Sequence, residues 1–422
     1  MLTLTTGAHP AVRPRLIRGQ DSWEDRGAYE ACGGYQPGLV GADLIDAVAA
    51  SGLRGRGGAA FPVARKLATL TRQPGEKIVL VNGEEGEPAS VKDRWLLRAR
   101  PHLVIDGALR AAQAVGAGTV YFYVSDAAAA ASLDAAVAEL DAPRVELRVF
   151  QVEPGYVAGE ETAAVNAVNG RPAKPSEKPP RPFEEGVRRL PTLVSNAESI
   201  ANLPGIAAGD VSAETFLMTL GGAVARPGLY EVPFGIPVGE AVEVLGGVSA
   251  QTRRGYVMGG YFAGLLNARG HDLPLDYDAL KGAGSGLGCG AITVLGPDDC
   301  PVGVAALLLA YFGRENAGQC GSCFNGTAAM AGVALGLARG EAGPDELRRL
   351  EYWCGFLPGR GACATLDGAV NVAATLLREF PAEVTSHQRD ACPACAATDF
   401  LTTDPPLASD PESITPHVEA AL

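Results

Sequence analysis

Three short apolar runs separated by helical patterns, between residues 77 and 152, constrain the fold more than any other feature of the chain. Lys77–Asn82 (KIVLVN) reads as a buried strand, Thr119–Ser125 as a second, and Val145–Val152 (VELRVFQV) as a third that alternates. Between them, Pro101–Gly116 carries apolar residues at helical spacing and Ala127–Leu140 is an Ala-rich helical stretch. Strands that alternate with helices indicate an α/β layer built around a largely parallel sheet. The first strand runs directly into an acidic loop, at the end of the sheet where open α/β folds bind ligands.

At 422 residues the chain has room for about two to four domains. Its 47% hydrophobic and 20% charged residues are those of a globular protein. A formal net charge of −13 argues against nucleic acid or an anionic membrane surface as a partner. Met1–Pro14 lacks the apolar stretch of a secretory signal, and the longest apolar run, Val302–Phe312, falls short of the roughly 20 residues of a membrane span. A cytoplasmic location is therefore expected, with the nine cysteines as reduced thiols or metal ligands. Cys320, Cys323, Cys354, Cys363, Cys392 and Cys395 all fall in the last quarter, so metal chemistry is expected there.

Residues 1–38 are polar and weakly patterned and read as an irregular arm. Leu39–Ser51 reads as a helix, and Glu160–Asn169 as another with Glu160 and Glu161 in its first turn. Four prolines make Ala173–Glu185 an extended loop. Around Phe216–Leu265 the pattern changes to short strands and turns, a β-rich insert. Helices are expected at about 302–314, 324–339, 344–355 and 366–380, forming a small bundle. Residues 396–422 are expected to be a disordered tail.

Four segments could carry chemistry. SGLRGRGGAAFP (Ser51–Pro62) interleaves glycines with Arg54 and Arg56, and Lys66 follows; this suits a phosphate or a flavin, or is a plain loop. It matches neither the Walker loop nor the dinucleotide fingerprint. NGEEGEP (Asn82–Pro88) offers Glu84, Glu85 and Glu87 to ribose hydroxyls, a metal or an amide, or is a solvated acidic turn. GYVAGEET (Gly155–Thr162) presents acids that could face a ligand or complement a helix N-terminus. Cys320-Gly-Ser-Cys323 with Cys363 suggests a metal, zinc or iron–sulfur, with a redox dithiol as the competing reading.

In this order, SGLRGRGGAAFP, NGEEGEPASVKDR, GYVAGEETAAVN, KPPRPFEEG, NAESIANLP and GQCGSCFNGT resemble the NADH- and FMN-binding subunits of respiratory complex I. The related flavoprotein subunits of NAD-linked hydrogenases and formate dehydrogenases share them, and the resemblance spans residues 32–388. It implies an α/β fold, with a Rossmann-like flavin domain (39–211) following the arm (1–38). A β-grasp, ubiquitin-like insert (212–275) and a C-terminal four-helix bundle with a 4Fe–4S cluster (296–388) would come next, then a tail (389–422) holding Cys-Pro-Ala-Cys. The implied function is that of an NAD(P)H dehydrogenase-type oxidoreductase component. NADH or NADPH would give hydride to FMN, and single electrons would leave through the cluster to other redox subunits or a ferredoxin-like acceptor. The alternative is a non-catalytic scaffold or relay that keeps the fold. By resemblance Gly55, Arg56, Gly57, Gly58 and Lys66 would line FMN and its phosphate, and Asn82, Glu84 and Glu85 would lie along the flavin. Gly159, Glu160, Glu161 and Asn196 would complete the pocket, and Phe61 would stack on the dinucleotide. Glu85 and Glu161 would disfavour the anionic reduced flavin, with no protein acid or base needed for hydride transfer.

The sequence also departs from that pattern. Ala317 stands where the first cysteine of the cluster motif belongs, leaving Cys320, Cys323 and Cys363, with Cys354 as the candidate fourth ligand and Cys289 and Cys300 as weaker ones. Thr69 and Arg181 replace two dinucleotide-packing aromatics, and Ser195 replaces an asparagine beside FMN. Arg181 would either meet a 2′-phosphate, favouring NADPH, or be a solvated charge. Cys392 and Cys395 lie beyond the resemblance as a shared zinc site, a dithiol or an inert pair. His102 and His387 carry no motif and read as structural.

Overall fold

The structure, a computed structural model, describes residues 5–18, 23–141, 143–210, 214–248, 253–400 and 402–405. The N-terminal stretch holds strand β1 (Thr5–Ala8) and helix α1 (Arg26–Ala31), followed by α2 (Gly41–Ala50) and α3 (Val63–Thr71). The α/β layer runs β2 (Ile78–Asn82), α4 (Lys92–Ala99), α5 (Pro101–Val115), β3 (Thr119–Val124), α6 (Ala127–Ala138), β4 (Glu146–Gln151), α7 (Glu161–Val168) and β5 (Thr192–Asn196). Two short helices, α8 (Ala197–Ala201) and α9 (Leu203–Ala207), close it.

The four strands form one parallel sheet in the order β4-β3-β2-β5. The continuous apolar text of β2 and β3 follows from burial on both faces. Val79, Val81, Val120 and Phe122 enter the core shared with α4 and α5, while Ile78, Leu80, Tyr121 and Tyr123 enter the one under α7. The chain steps from β2 outward to β3 and β4, then returns to the other side of β2 with β5. A switch point therefore lies between β2 and β5, where Asn82 and Asn196 are direct partners in the register.

A second, mixed sheet comprises β6 (Thr215–Gly222), β7 (Gly228–Pro233), β8 (Gly255–Met258), β9 (Leu265–Asn267) and β10 (Ala291–Leu295), with α10 (Val238–Gly246) and α11 (Tyr277–Gly282). Its order is β1-β7-β6-β10-β8-β9. Two strands thus come from outside residues 212–275. The N-terminal arm is not wholly irregular: β1 pairs parallel with β7, more than two hundred residues away, so no local pattern marks it. Helix α10 covers one face through Ala241, Val242 and Leu245, against Phe216, Met218 and Leu220.

Helices α12 (Pro301–Glu315), α13 (Gly321–Ala338), α14 (Pro344–Phe356) and α15 (Thr365–Glu379) share one core that includes Leu308, Phe312, Met330, Leu350 and Leu366. They lie within a few residues of the ranges read from periodicity. The short α16 (Pro381–His387) and α17 (Pro393–Ala396) follow. Part of the expected tail is ordered, since Phe400 is buried and Tyr261 Oη donates to the Pro405 carbonyl at 3.3 Å. Residues 401 and 406–422 of it lie outside the described residues. Among the described residues no helix is long and apolar enough to cross a membrane.

Candidate flavin and iron–sulfur sites

The switch point gathers most of the expected flavin residues. The loop after β2 carries Glu84 and Glu85, the turn before α7 carries Gly159, Glu160 and Glu161, and the glycine-rich loop lies against Asn196. That loop is pinched by Gly55 N–H donating to the Phe61 carbonyl (2.9 Å), and the Cβ position of Gly57 falls 3.3 Å from Asn196 Cβ. Asn82 Nδ2 donates to the Gly159 carbonyl at 2.7 Å, tying the two acidic turns together. Gly159 approaches Glu84 so closely that a Cβ there would sit 2.7 Å from Glu84 Oε2. Phe61 is 42% exposed, with the Arg65 guanidinium over its ring.

Two groups, Glu84 buried and Lys66 half-buried, are left short of partners. Glu84 accepts from the Gly155 N–H at 3.4 Å, but its Oε2 is buried without a hydrogen bond. Burial pushes its carboxyl up to about 7. Lys66 donates to the Val194 carbonyl at 3.0 Å, and among the described residues no carboxylate lies within ion-pair distance of it. Burial lowers its pKa, offset in part by Glu161. A phosphate beside Lys66 and a polar ring edge beside Glu84 would supply what each group lacks, so the donor set fits FMN.

Other expected residues are already engaged. Arg56 is buried, with its N–H on Ser199 Oγ (2.8 Å), Nη2 on the Thr215 carbonyl (3.0 Å), and its guanidinium over Phe234. Glu85 accepts from the N–H groups of Asp93 and Arg94, capping α4, and from Ser90 Oγ. Glu160 caps α7 through Thr162 and Ala163, which is the helix-terminus alternative for that turn, while Lys178 pairs with both Glu160 (2.7 Å) and Glu161 (2.9 Å). Asn196 caps α8 and is held by Lys92 and Asp93. Glu87 is half-buried, and desolvation pushes its carboxyl up to about 8.

Lys92, Asp93 and Glu198 escaped the sequence reading, although the first two lie in the NGEEGEPASVKDR segment and Glu198 in NAESIANLP. Lys92 Nζ contacts Asp93 (2.7 Å), Glu198 (3.1 Å) and Asn196 (3.2 Å), and Arg56 reaches Glu198 at 3.7 Å. Two cations and two carboxylates thus balance in a buried layer beneath the cleft. A lysine and an aspartate side by side in an acidic segment were the available signal.

Cys320, Cys323 and Cys363 converge at the α12–α13 and α14–α15 loops, lining one cavity with Ala317, Gly361 and Pro175. The Ala362 N–H points at Cys320 Sγ (3.4 Å), and burial with the neighbouring Cys363 and Cys320 thiols raises Cys323 to about 11. Three thiols in a protein-lined hollow, with amide support, fit an iron–sulfur cluster. Cys354 is not brought there. It sits in the last turn of α14, where burial and then Glu351 raise its thiol to about 11. Cys289 stands near Glu87 instead, and burial raises it to about 12. Lys174 Nζ donates to the Ala317 carbonyl (2.9 Å), so the loop that holds Lys178 over the acidic turn also holds the cysteine loop.

A second group was not assembled by the sequence reading. Cys300, Cys392 and Cys395 meet His387, their ligand atoms all within 4.8 Å of one another. His102, by contrast, is a structural histidine, between Tyr35 Oη (2.9 Å) and Glu139 (3.0 Å).

Comparison with known proteins agrees with this layout. Residues 48–205 match the Nuo51 FMN-binding domain, 217–261 the SLBB domain, and 303–387 the iron-sulfur binding region of NADH-ubiquinone oxidoreductase-F. The chain is 31% identical to the F 2 subunit of NADH-quinone oxidoreductase in Rhizobium meliloti, over 90% of this chain and 99% of that one. It is 32% identical to the F subunit of NADH-quinone oxidoreductase in Escherichia coli, covering 86% and 88%. It is also 30% identical to the HndC subunit of the NADP-reducing hydrogenase in Solidesulfovibrio fructosivorans, covering 86% and 80%. Among solved structures, a chain of an air-oxidized NAD+-reducing [NiFe]-hydrogenase superposes with a TM-score of 0.78 at 27% identity, over 99% of this chain and 74% of that one. A chain of such an enzyme in the H2-reduced state gives 0.75 at 28% identity, covering 84% and 64%. With an FMN-binding domain and an iron–sulfur region in the same order, the chain belongs to the NADH-quinone oxidoreductase F family, oxidoreductase flavoproteins with FMN and iron–sulfur centres.

Proposed function

We propose that this chain takes electrons from a reduced nicotinamide dinucleotide at the β2–β5 switch point and delivers them singly, through a centre held by Cys320, Cys323 and Cys363, to another redox subunit. The observation that carries this reading is the set of groups gathered at that switch point. Asn82 and Asn196 stand in register there, Lys66 is a half-buried ammonium with no carboxylate within ion-pair distance among the described residues, and Glu84 holds a buried oxygen with no donor. FMN, when bound, supplies the hydride acceptance and single-electron release that no side chain here can provide.

The protein's share is binding and placement. Lys66 holds the phosphate, the pinched Gly55–Gly58 loop and Gly159 keep backbone close to the cofactor, and the Lys92–Asp93–Glu198 layer fixes Asn196. Arg56 supports the loop from beneath. Glu85 and Glu160 act by shaping the turns they cap, and Glu161 sets charge near the cleft together with Lys178. Phe61 offers an exposed ring for the dinucleotide. Arg181 is exposed, as a solvated loop charge would be, and NADH is the proposed donor.

The domain limits of the sequence reading remain useful: a flavin domain over 39–211, a β-grasp insert over 212–275 to which β1 and β10 add strands, and a four-helix bundle over 296–388. The SLBB match and the common core of α12–α15 support the last two. The partner is a further redox subunit in the cytoplasm, supported by exposed Phe324 beside Cys323 and by the stacked, exposed pair Tyr352 and Phe356. Phe356→Asp should leave reduction of ferricyanide by NADH unchanged and slow reduction of a ferredoxin; equal slowing of both would remove this face from the reading.

Cofactor content tests the proposal. The anaerobically purified chain should carry one flavin and about four irons. Lys66→Ala should weaken FMN binding roughly 10- to 100-fold, the loss of a charge-assisted contact worth about 1.5–3 kcal/mol. Full flavin affinity in that variant would place the phosphate elsewhere.

A further inference from the structure

We propose that Cys300, His387, Cys392 and Cys395 form a closed, structural zinc site, separate from the iron–sulfur centre. Cys300 stands at the N-cap of α12, His387 ends α16, Cys392 stands at the N-cap of α17 and Cys395 lies within it. Their four ligand atoms lie within 4.8 Å of one another, with Cys300 Sγ and His387 Nε2 3.4 Å apart. Ligands on one tetrahedral zinc, at bond lengths of about 2.0–2.3 Å, stand roughly 3.5–3.8 Å apart. A four-iron cube puts each ligand on a different metal and spreads them further, so this spacing suits a single ion.

The surroundings are those of a metal site. His387 Nδ1 is 2.8 Å from the Glu383 carbonyl, which holds the proton on Nδ1 and leaves the Nε2 lone pair toward the thiols. The Cys395 N–H points at Cys392 Sγ (3.4 Å), a donor that supports a thiolate. Position 303 is glycine where Cys395 packs on α12: a Cβ there would lie 3.0 Å from Cys395 Sγ. Cys300, His387 and Cys395 are buried and Cys392 is half-buried, leaving no open coordination position for substrate. All four residues are accounted for as ligands, with three cysteines and one histidine completing a tetrahedron.

This is not the iron–sulfur centre under another description. Cys300 and Cys320 flank opposite ends of α12, whose 15 residues span about 22 Å. Cys300, Cys392 and Cys395 also fall outside the matched iron–sulfur region, 303–387. Binding zinc displaces the thiol protons and changes no oxidation state. Its effect is to tie the segment through Phe400 and Pro405 to the start of α12, the helix that leads into the Ala317–Cys323 loop.

Metal analysis of the full chain is the test. One zinc per chain is expected beside the iron. His387→Ala and Cys392→Ser should each remove the zinc while iron and flavin stay within about twofold of the parent, and His387→Cys should retain it. Cys320→Ser should do the converse, lowering iron and sparing zinc. If a variant misfolds, the parent chain stripped of zinc and given cobalt(II) still reports, through the absorption bands of tetrahedral thiolate-bound cobalt. Absence of zinc from the parent, a flat cobalt spectrum, or loss of iron instead of zinc in His387→Ala would each overturn the assignment.

Discussion

Glu84 shows how one buried carboxyl links the cleft to stability. Its raised value, about 7 against 4.5, means the folded chain prefers it protonated. That contribution is complete below about pH 4.5 and is lost as pH rises through 7. In the cofactor-free chain it amounts to about 2 kcal/mol between about pH 5.5 and 8, and Glu84→Gln should flatten that part of the urea-midpoint profile. Phe61→Ala should raise the KM for NADH roughly 3- to 10-fold with little change in kcat, as expected for loss of a stacking face worth about 0.5–1.5 kcal/mol. Cys354→Ser should keep its iron and Cys320→Ser should lose it, as measured by iron content and the visible spectrum. At this scale the sequence identified the residue types but not what each would touch. Glu85 reads as a ligand or part of a solvated acidic turn, and Glu160 as a ligand or a complement to a helix N-terminus; both accept from helix N–H groups. Cys300 and His387 are 87 positions apart, so only the fold brings them together.

Elements were more legible, because burial leaves a period in the sequence. The two-sided apolar text of Ile78–Asn82 and the helical spacing of α12–α15 each report the faces they cover. Strand β1 carried no such mark: four residues, none of them buried, owe their conformation to a distant edge. The layer beneath the cleft joins α4, α8 and the glycine-rich loop through Lys92, Glu198 and Arg56. Glu198→Ala would leave Asp93 as the one carboxylate for two buried cations and should cost about 3–5 kcal/mol in a denaturant titration, more than any exposed ion pair.

Across the whole molecule, two cofactor regions are held in register by one loop. Lys178 binds the acidic turn at the flavin cleft, Lys174 binds the Ala317 carbonyl, and Pro175 lines the cysteine cavity. The order of motifs along the chain made both regions readable, whereas their coupling through residues 174–178 required the structure. One loop thus touches both the acidic turn and the cysteine cavity. Anaerobic titration of the purified chain with NADH tests the proposed electron transfer most directly. The flavin band should bleach, with electrons appearing at the iron–sulfur centre in the same titration. A flavin that stays oxidised in excess NADH, and equally in NADPH, would leave a scaffold in place of an enzyme and contradict the assignment.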